Sequence, residues 1–191
     1  MRTLWVLLSA FLFLFAGAAT VFGMPAEVIV IRHGEKPADK GSKHLSPAGE
    51  KRAKSFVPFL KENSILMQHG APVALFATKK TKNGRGQRPG ETLQPLSKSL
   101  KLPIQKPFES EDAGSLAKLI LSNPSYNGKT VLVCWTHEFI PPLVEALGVH
   151  PAPPKLHDYV YDRVYMITYE NGKAELKQLS QSLSSDPATS K

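Results

Sequence analysis

The sequence has a single cysteine, Cys134, in 191 residues, so no disulfide can form within the chain. That thiol lies in the apolar run Thr130-Val131-Leu132-Val133-Cys134-Trp135 and reads as a small buried side chain. A nucleophilic role would need access and a lowered pKa, and only the nearby His137 speaks for one. Metal-ligand spacing is also missing. His137-Glu138 opens like the H-E-x-x-H zinc helix, but the second histidine would fall on Pro141. His44, His69, His150 and His157 are scattered without ligand spacing and read as surface residues. The glycine-containing loop 82–90 lacks the terminal G-K-[ST] of a P-loop. Acidic residues are scarce, 16 Asp and Glu against 24 Lys and Arg, for a formal charge of +8. The excess gives a solvated basic surface or a field that draws in anionic substrates. No arginine-rich helix or interleaved aromatic stripe is present, which argues against nucleic acid as a partner. No internal repeat appears.

What is present begins with an apolar leader. Arg2 precedes a long hydrophobic stretch, and Ala16, Gly17, Ala18 and Ala19 stand near its end, the layout of a secretory signal peptide with Ala16 and Ala18 as the cleavage pair. The alternative is an uncleaved anchor, since residues 3–22 approach membrane-spanning length. In either case the sequence predicts an exported domain, periplasmic or secreted, which touches a membrane only if the leader is retained. The mature chain would start between Ala19 and Met24. Residues 24–180 then form one catalytic-sized domain, and the Ser-rich stretch 181–191 is expected to fray.

Within the domain, residues 27–31 (Glu27-Val28-Ile29-Val30-Ile31) and 130–135 read as buried strands, and 72–77 as a third, shorter one. Ser46-Pro47 starts a helix that turns Ala53, Phe56, Val57 and Leu60 inward, with Pro58 a candidate kink. A basic loop over 79–90 precedes a helix from about 91 to 100. Further helices are expected over 111–121 and 141–147. Residues 164–169 and 174–179 flank Asn171-Gly172, the turn chemistry of a β-hairpin. Strands alternating with helices predict an α/β three-layer sandwich, with a mostly parallel central sheet, helices on both faces and the C-terminal hairpin as an antiparallel edge. Ligands bind such sheets beyond the carboxyl ends of the strands. Arg32-His33 and Thr136-His137 each come just after such an end, so two buried strands deliver histidines to one rim.

Arg32-His33-Gly34-Glu35 after a buried strand resembles the signature of the histidine phosphatase superfamily. Arg88-Pro89-Gly90-Glu91-Thr92-Leu93-Gln94-Pro95-Leu96 is similar to the segment that carries that family's second arginine. Trp135-Thr136-His137-Glu138 is similar to the segment with its second histidine. The three segments occur in order and span nearly the whole exported domain. The resemblance implies a phosphoglycerate mutase-like fold and hydrolysis of phosphomonoesters or phosphorylated side chains through a phosphohistidine on His33. Elementary chemistry agrees. A neutral imidazole is nucleophilic near pH 7, and a phosphoryl group needs fixed cations around it. Arg32 and Arg88 supply bidentate forks, His137 adds a donor, and Gly34 permits close backbone approach to a ligand. Arg85 lies in the same loop as Arg88 and competes for its role.

The proton donor for the leaving group stays open. Acid-phosphatase relatives place an acid directly after the second histidine, where Glu138 stands. Mutase-like relatives place one between the second arginine and second histidine, the region of Glu109, Glu111 and Asp112, and some small relatives dispense with a dedicated acid. No metal or organic cofactor is implied. The expected partner is a phosphorylated small molecule or phosphoprotein. Phosphomutase activity and a non-catalytic anion-binding module remain alternatives.

Overall fold

β-Branched and aliphatic runs that cannot be solvated on either side form the centre of the structure. The computed structural model describes residues 23–39 and 41–181. Strand β1 (Glu27–Arg32) and strand β4 (Thr130–Trp135) are buried along their whole length, as expected of strands covered on both faces. They pair in parallel from Glu27↔Thr130 to Arg32↔Trp135. The six-stranded sheet has the order β3-β2-β4-β1-β5-β6. β2 (Ala74–Ala77) and β3 (Ile104–Gln105) continue the parallel part, and β5 (Arg163–Glu170) and β6 (Lys173–Ser180) run antiparallel.

Helices α1 (Pro47–Glu62) and α2 (Gln87–Leu100) cover one face, with Phe56, Leu60, Leu93 and Leu96 packed on Ile29, Leu75 and Leu132. On the other face, α3 (Ala113–Ser122) and α4 (Ile140–Ala146) pack Leu116, Ile120, Leu143 and Val144 on Val28, Val30, Val131 and Val133. The two cores draw on alternate residues of the same strands, which is the period-two geometry of a pleated sheet. The three-layer sandwich and the antiparallel hairpin are therefore both present. Asn171 and Gly172 take φ of 51° and 76°, the left-handed pair that a two-residue hairpin turn requires. Edge strand β6 points Lys173 and Lys177 into solvent, which discourages pairing with another chain.

Local boundaries depart from the sequence reading in a few places. α1 begins at Pro47 with Ser46 accepting from the Gly49 N–H at 3.1 Å, and it runs on through Pro58 as one helix. The second helix starts at Gln87, four residues earlier than expected. Gly86 caps it at φ 78°, and Pro89 is tolerated because first-turn N–H groups have no acceptor within the helix. β2 is shorter than expected, and the two-residue β3 carries too little pattern to announce itself. The leader lies outside the described residues except for Gly23, and so do residues 182–191. Gln181 is not part of a fraying tail: it is buried, donates from its backbone N–H to Asp162 O at 2.7 Å, and donates from its side chain to Arg52 O at 3.2 Å. Among the described residues, no helix is long and apolar enough to cross a membrane.

Topology places the site. From β1 the chain crosses by α1 to β2, leaving a gap that β4 later fills, and after β4 it crosses to β5 on the far side of β1. The connections leaving β1 and β4 thus diverge, and the crevice between their carboxyl ends is where open α/β sheets bind ligands.

Candidate active site

His33 comes directly after β1, and its backbone N–H donates to Trp135 O at 3.3 Å, so the parallel pairing itself brings the loop of β1 against that of β4. Its Nδ1 lies 2.7 Å from Gly34 O. A carbonyl only accepts, so Nδ1 carries the proton and Nε2 keeps a free lone pair. Burial pushes the imidazole pKa down to about 3, and the neighbouring Arg32, Arg88 and Lys36 charges push the same way. The ring is neutral throughout the physiological range.

Arg32, the residue before His33, is only 1% exposed. Its Nη1 donates to His157 O at 2.9 Å and to Val160 O at 2.7 Å, and the Tyr161 ring stacks 3.9 Å from the guanidinium carbon. Its Nε and Nη2 are buried with no partner among the described residues. Donors this costly to leave unmet mark a place prepared for an anion.

Arg88 sits in the first turn of α2 rather than in a loop. Its Nε donates to His44 O at 2.9 Å and its Nη2 to Ser42 O at 2.6 Å. Glu91, one turn on, holds that same 42–45 segment through the Leu45 N–H at 2.9 Å and His44 Nδ1 at 2.6 Å. Arg85 is exposed, and its nearest acid is Glu111 at 3.8 Å. Both arginines line the cavity beside His33; Arg88 is braced by two backbone carbonyls, while Arg85 is exposed.

Gly34 serves a different close approach from the one its motif suggested. A Cβ there would lie 2.7 Å from Gly49 O, and a Cβ on Gly49 would lie 2.6 Å from Glu35 O. The glycines let the His33 loop press on the start of α1. The Gly34 N–H is already engaged, donating to Thr92 Oγ1 at 2.9 Å, while Thr92 donates to Arg88 O at 2.9 Å. Buried Thr92 thus ties the His33 loop to the Arg88 helix. Arg52 clamps the loop from the side, with Nε and Nη2 at 2.8 and 2.6 Å from Glu35 Oε1.

His137 opens the short helical turn after β4 and is buried. Its Nε2 lies 2.7 Å from Asp158 Oδ1, so that nitrogen carries a proton. Burial lowers the imidazole pKa, reinforced by Arg32 and Lys36 and opposed by Glu138 and Asp158.

His33, Arg85, Arg88, His137 and Glu138 line one cavity of about 160 Å³ together with Lys36 and Lys43, and Arg32 is not among its lining residues. Of the other acids, Glu111 reaches this lining, whereas Glu109 and Asp112 do not. Cys134 points into the core under α2, and burial pushes its thiol pKa up, so it is a packing residue. Among the described residues no cluster of three or more His, Cys, Asp or Glu could hold a metal ion. Sequence reasoning assigned nothing to Asp158, Tyr161, Thr92 or Glu91. Thr92 and Glu91 sat inside a quoted segment, but nothing in the 157–161 stretch signalled its place.

Several solved structures share this architecture. The chain is similar to a mycobacterial glucosyl-3-phosphoglycerate phosphatase bound to inorganic phosphate, at TM-score 0.54 and 14% identity, over 80% of this chain and 95% of that one. It is similar to a phosphoserine phosphatase from Entamoeba histolytica, a histidine-to-alanine variant in complex with phosphoserine, at TM-score 0.56 and 13% identity, over 81% and 96%. A SixA-type protein from Agrobacterium tumefaciens aligns at TM-score 0.50 and 14% identity, over 82% and 99%. No protein-family model and no curated protein sequence matches the chain.

Proposed function

The chain has the fold of the histidine phosphatases, and from that premise we propose that it is a phosphatase acting through a phosphohistidine on His33. One observation carries this reading: a neutral imidazole with its lone pair on Nε2 stands next to a buried guanidinium with two unmet donor nitrogens, at the carboxyl end of the central strands. A phosphoryl group placed between them meets a nucleophile and its counter-charge together.

In the first step His33 Nε2 forms a bond to phosphorus as the bond to the leaving oxygen breaks. Arg32 and Arg88 hold the equatorial oxygens, and His137 donates to them. Glu138, exposed on the cavity wall, gives its proton to the leaving oxygen. In the second step a water attacks phosphorus, loses its proton to the Glu138 carboxylate, and the P–N bond breaks to regenerate neutral His33. Lys36, Lys43 and Arg85, which also line the cavity, draw in the dianionic substrate. Of the similar structures, one is a glucosyl-3-phosphoglycerate phosphatase, one holds phosphoserine and one is a SixA-type phosphohistidine phosphatase, which supports a phosphomonoester or a phosphorylated side chain as substrate.

Rapid-quench labelling with a radioactive phosphomonoester tests this. The expected result is an acid-labile phosphoenzyme that His33→Ala does not form. Label that survives acid, or normal labelling of the alanine variant, refutes the mechanism. Phosphate binding without turnover in the intact protein would identify a non-catalytic anion-binding module instead. We also propose that the protein is exported, from the charged start, apolar run and small residues of its leader. Mass spectrometry of the mature chain should place its first residue between Ala19 and Met24, whereas a full-length mass in a membrane fraction would indicate an anchor.

A further inference from the structure

The turn at residues 157–161 is fastened to Arg32 by its backbone and turns one carboxylate toward His137. Arg32 Nη1 grips the carbonyls of His157 and Val160, the Val160 N–H closes the turn on His157 O at 3.0 Å, and Tyr161 covers the Arg32 guanidinium. Between these anchors stands Asp158. Its side chain is 84% exposed, yet Oδ1 reaches 2.7 Å from His137 Nε2. Its hydrogen bond to His137, aided by the charges of His137, Lys36 and Arg32, holds the carboxyl below the usual range, so it is an anion.

We propose that Asp158 is a resident counter-anion of the phosphoryl site, occupying the His137 N–H that the substrate requires, and that binding a phosphoryl group displaces it. This rests on the phosphatase reading above and adds to it a residue of the site that sets the affinity for its anion. The carboxylate carries one negative charge, whereas a phosphomonoester carries nearly two at neutral pH. A dianion competes well for the donors around Arg32 and His137. Singly charged phosphodiesters and sulfate esters compete poorly. Exposure makes displacement cheap, because the side chain rotates into water while the turn stays anchored. Exposed ion pairs are weak, so the expected self-competition amounts to about two- to five-fold in apparent affinity.

The test is Asp158→Asn in the full exported domain, with steady-state kinetics on a phosphomonoester and inhibition by inorganic phosphate. The variant should lower KM and the inhibition constant of phosphate by the same factor, since both anions contend with one carboxylate. A raised KM, or phosphate inhibition left unchanged, overturns the proposal and makes Asp158 a residue that positions His137. A loss of kcat confined to alkyl phosphates also overturns it, because Asp158 would then be the proton donor. The phosphatase reading is judged separately by acid-labile labelling and its dependence on His33.

Discussion

Glu27 opens the strand that ends in Arg32, just before His33, and changing it to glutamine should stabilise the protein most at alkaline pH. The carboxyl is fully buried, and neither oxygen has a partner among the described residues. Its cross-strand neighbours at the same level are Thr130 and Thr168, and the Thr130 hydroxyl is likewise unpaired. With no cation or donor to stabilise the charge, burial raises its pKa from 4.5 to about 8. Folded protein therefore keeps the proton, whereas the unfolded chain releases it above about pH 4.5. The unfolded state binds fewer protons in that window, so stability is full below pH 4.5 and falls as pH rises to about 8. At about 1.4 kcal/mol per pH unit, the shift sets a ceiling of about 5 kcal/mol above pH 8 and about 3 kcal/mol at pH 7. Glutamine keeps the shape and cannot titrate. Urea unfolding of both proteins between about pH 5 and pH 8 should show the variant's advantage widening by about 1 kcal/mol per unit. A difference that stays constant with pH, or one that widens in favour of glutamate, would refute the reasoning.

The remaining predictions concern the site. Burial holds His33 neutral down to about pH 3, so the acid limb of kcat/KM above that point should track the second ionisation of the substrate phosphate, about pH 6 for a phosphoserine-like ester; a limb that ignores the substrate's pKa would contradict this. Arg88→Ala should cost about two to three decades of kcat/KM, as for a single transition-state donor, whereas Arg85→Ala should lower it only modestly; equal effects would undo the assignment. Thr92→Val should leave the buried Gly34 N–H unpaired, costing about 1–3 kcal/mol in denaturant unfolding and loosening the His33 loop, seen as slower phosphoenzyme formation. Glu138→Gln should slow alkyl phosphates strongly and aryl phosphates hardly at all; uniform slowing would point to another donor.

The candidate site was legible in the chain because its parts are local. A buried strand announces itself through consecutive β-branched residues, and the next residues along the chain must emerge at the sheet rim, so Arg32, His33 and His137 could be placed without coordinates. Asn171-Gly172 and Ser46-Pro47 likewise carry their own backbone geometry, and the hairpin and α1 formed where those residues put them. Other features belong to pairs of segments distant in sequence. Gly34 looked like a ligand contact, but its missing Cβ makes room for Gly49, and only the docking of α1 reveals that. Arg88 is braced by carbonyls at Ser42 and His44, more than forty residues away. Asp158 lies in a stretch with no helical or strand period, and it reached His137 because Arg32, at the end of β1, pulls the carbonyls on either side of it inward. Sequence alone determined which side chains could attack and neutralise a phosphoryl group, since chemical type and strand pattern are properties of short segments. The tertiary structure decided which donors are left unmet and which anion waits beside them, because burial and pairing depend on what the rest of the chain packs against each group.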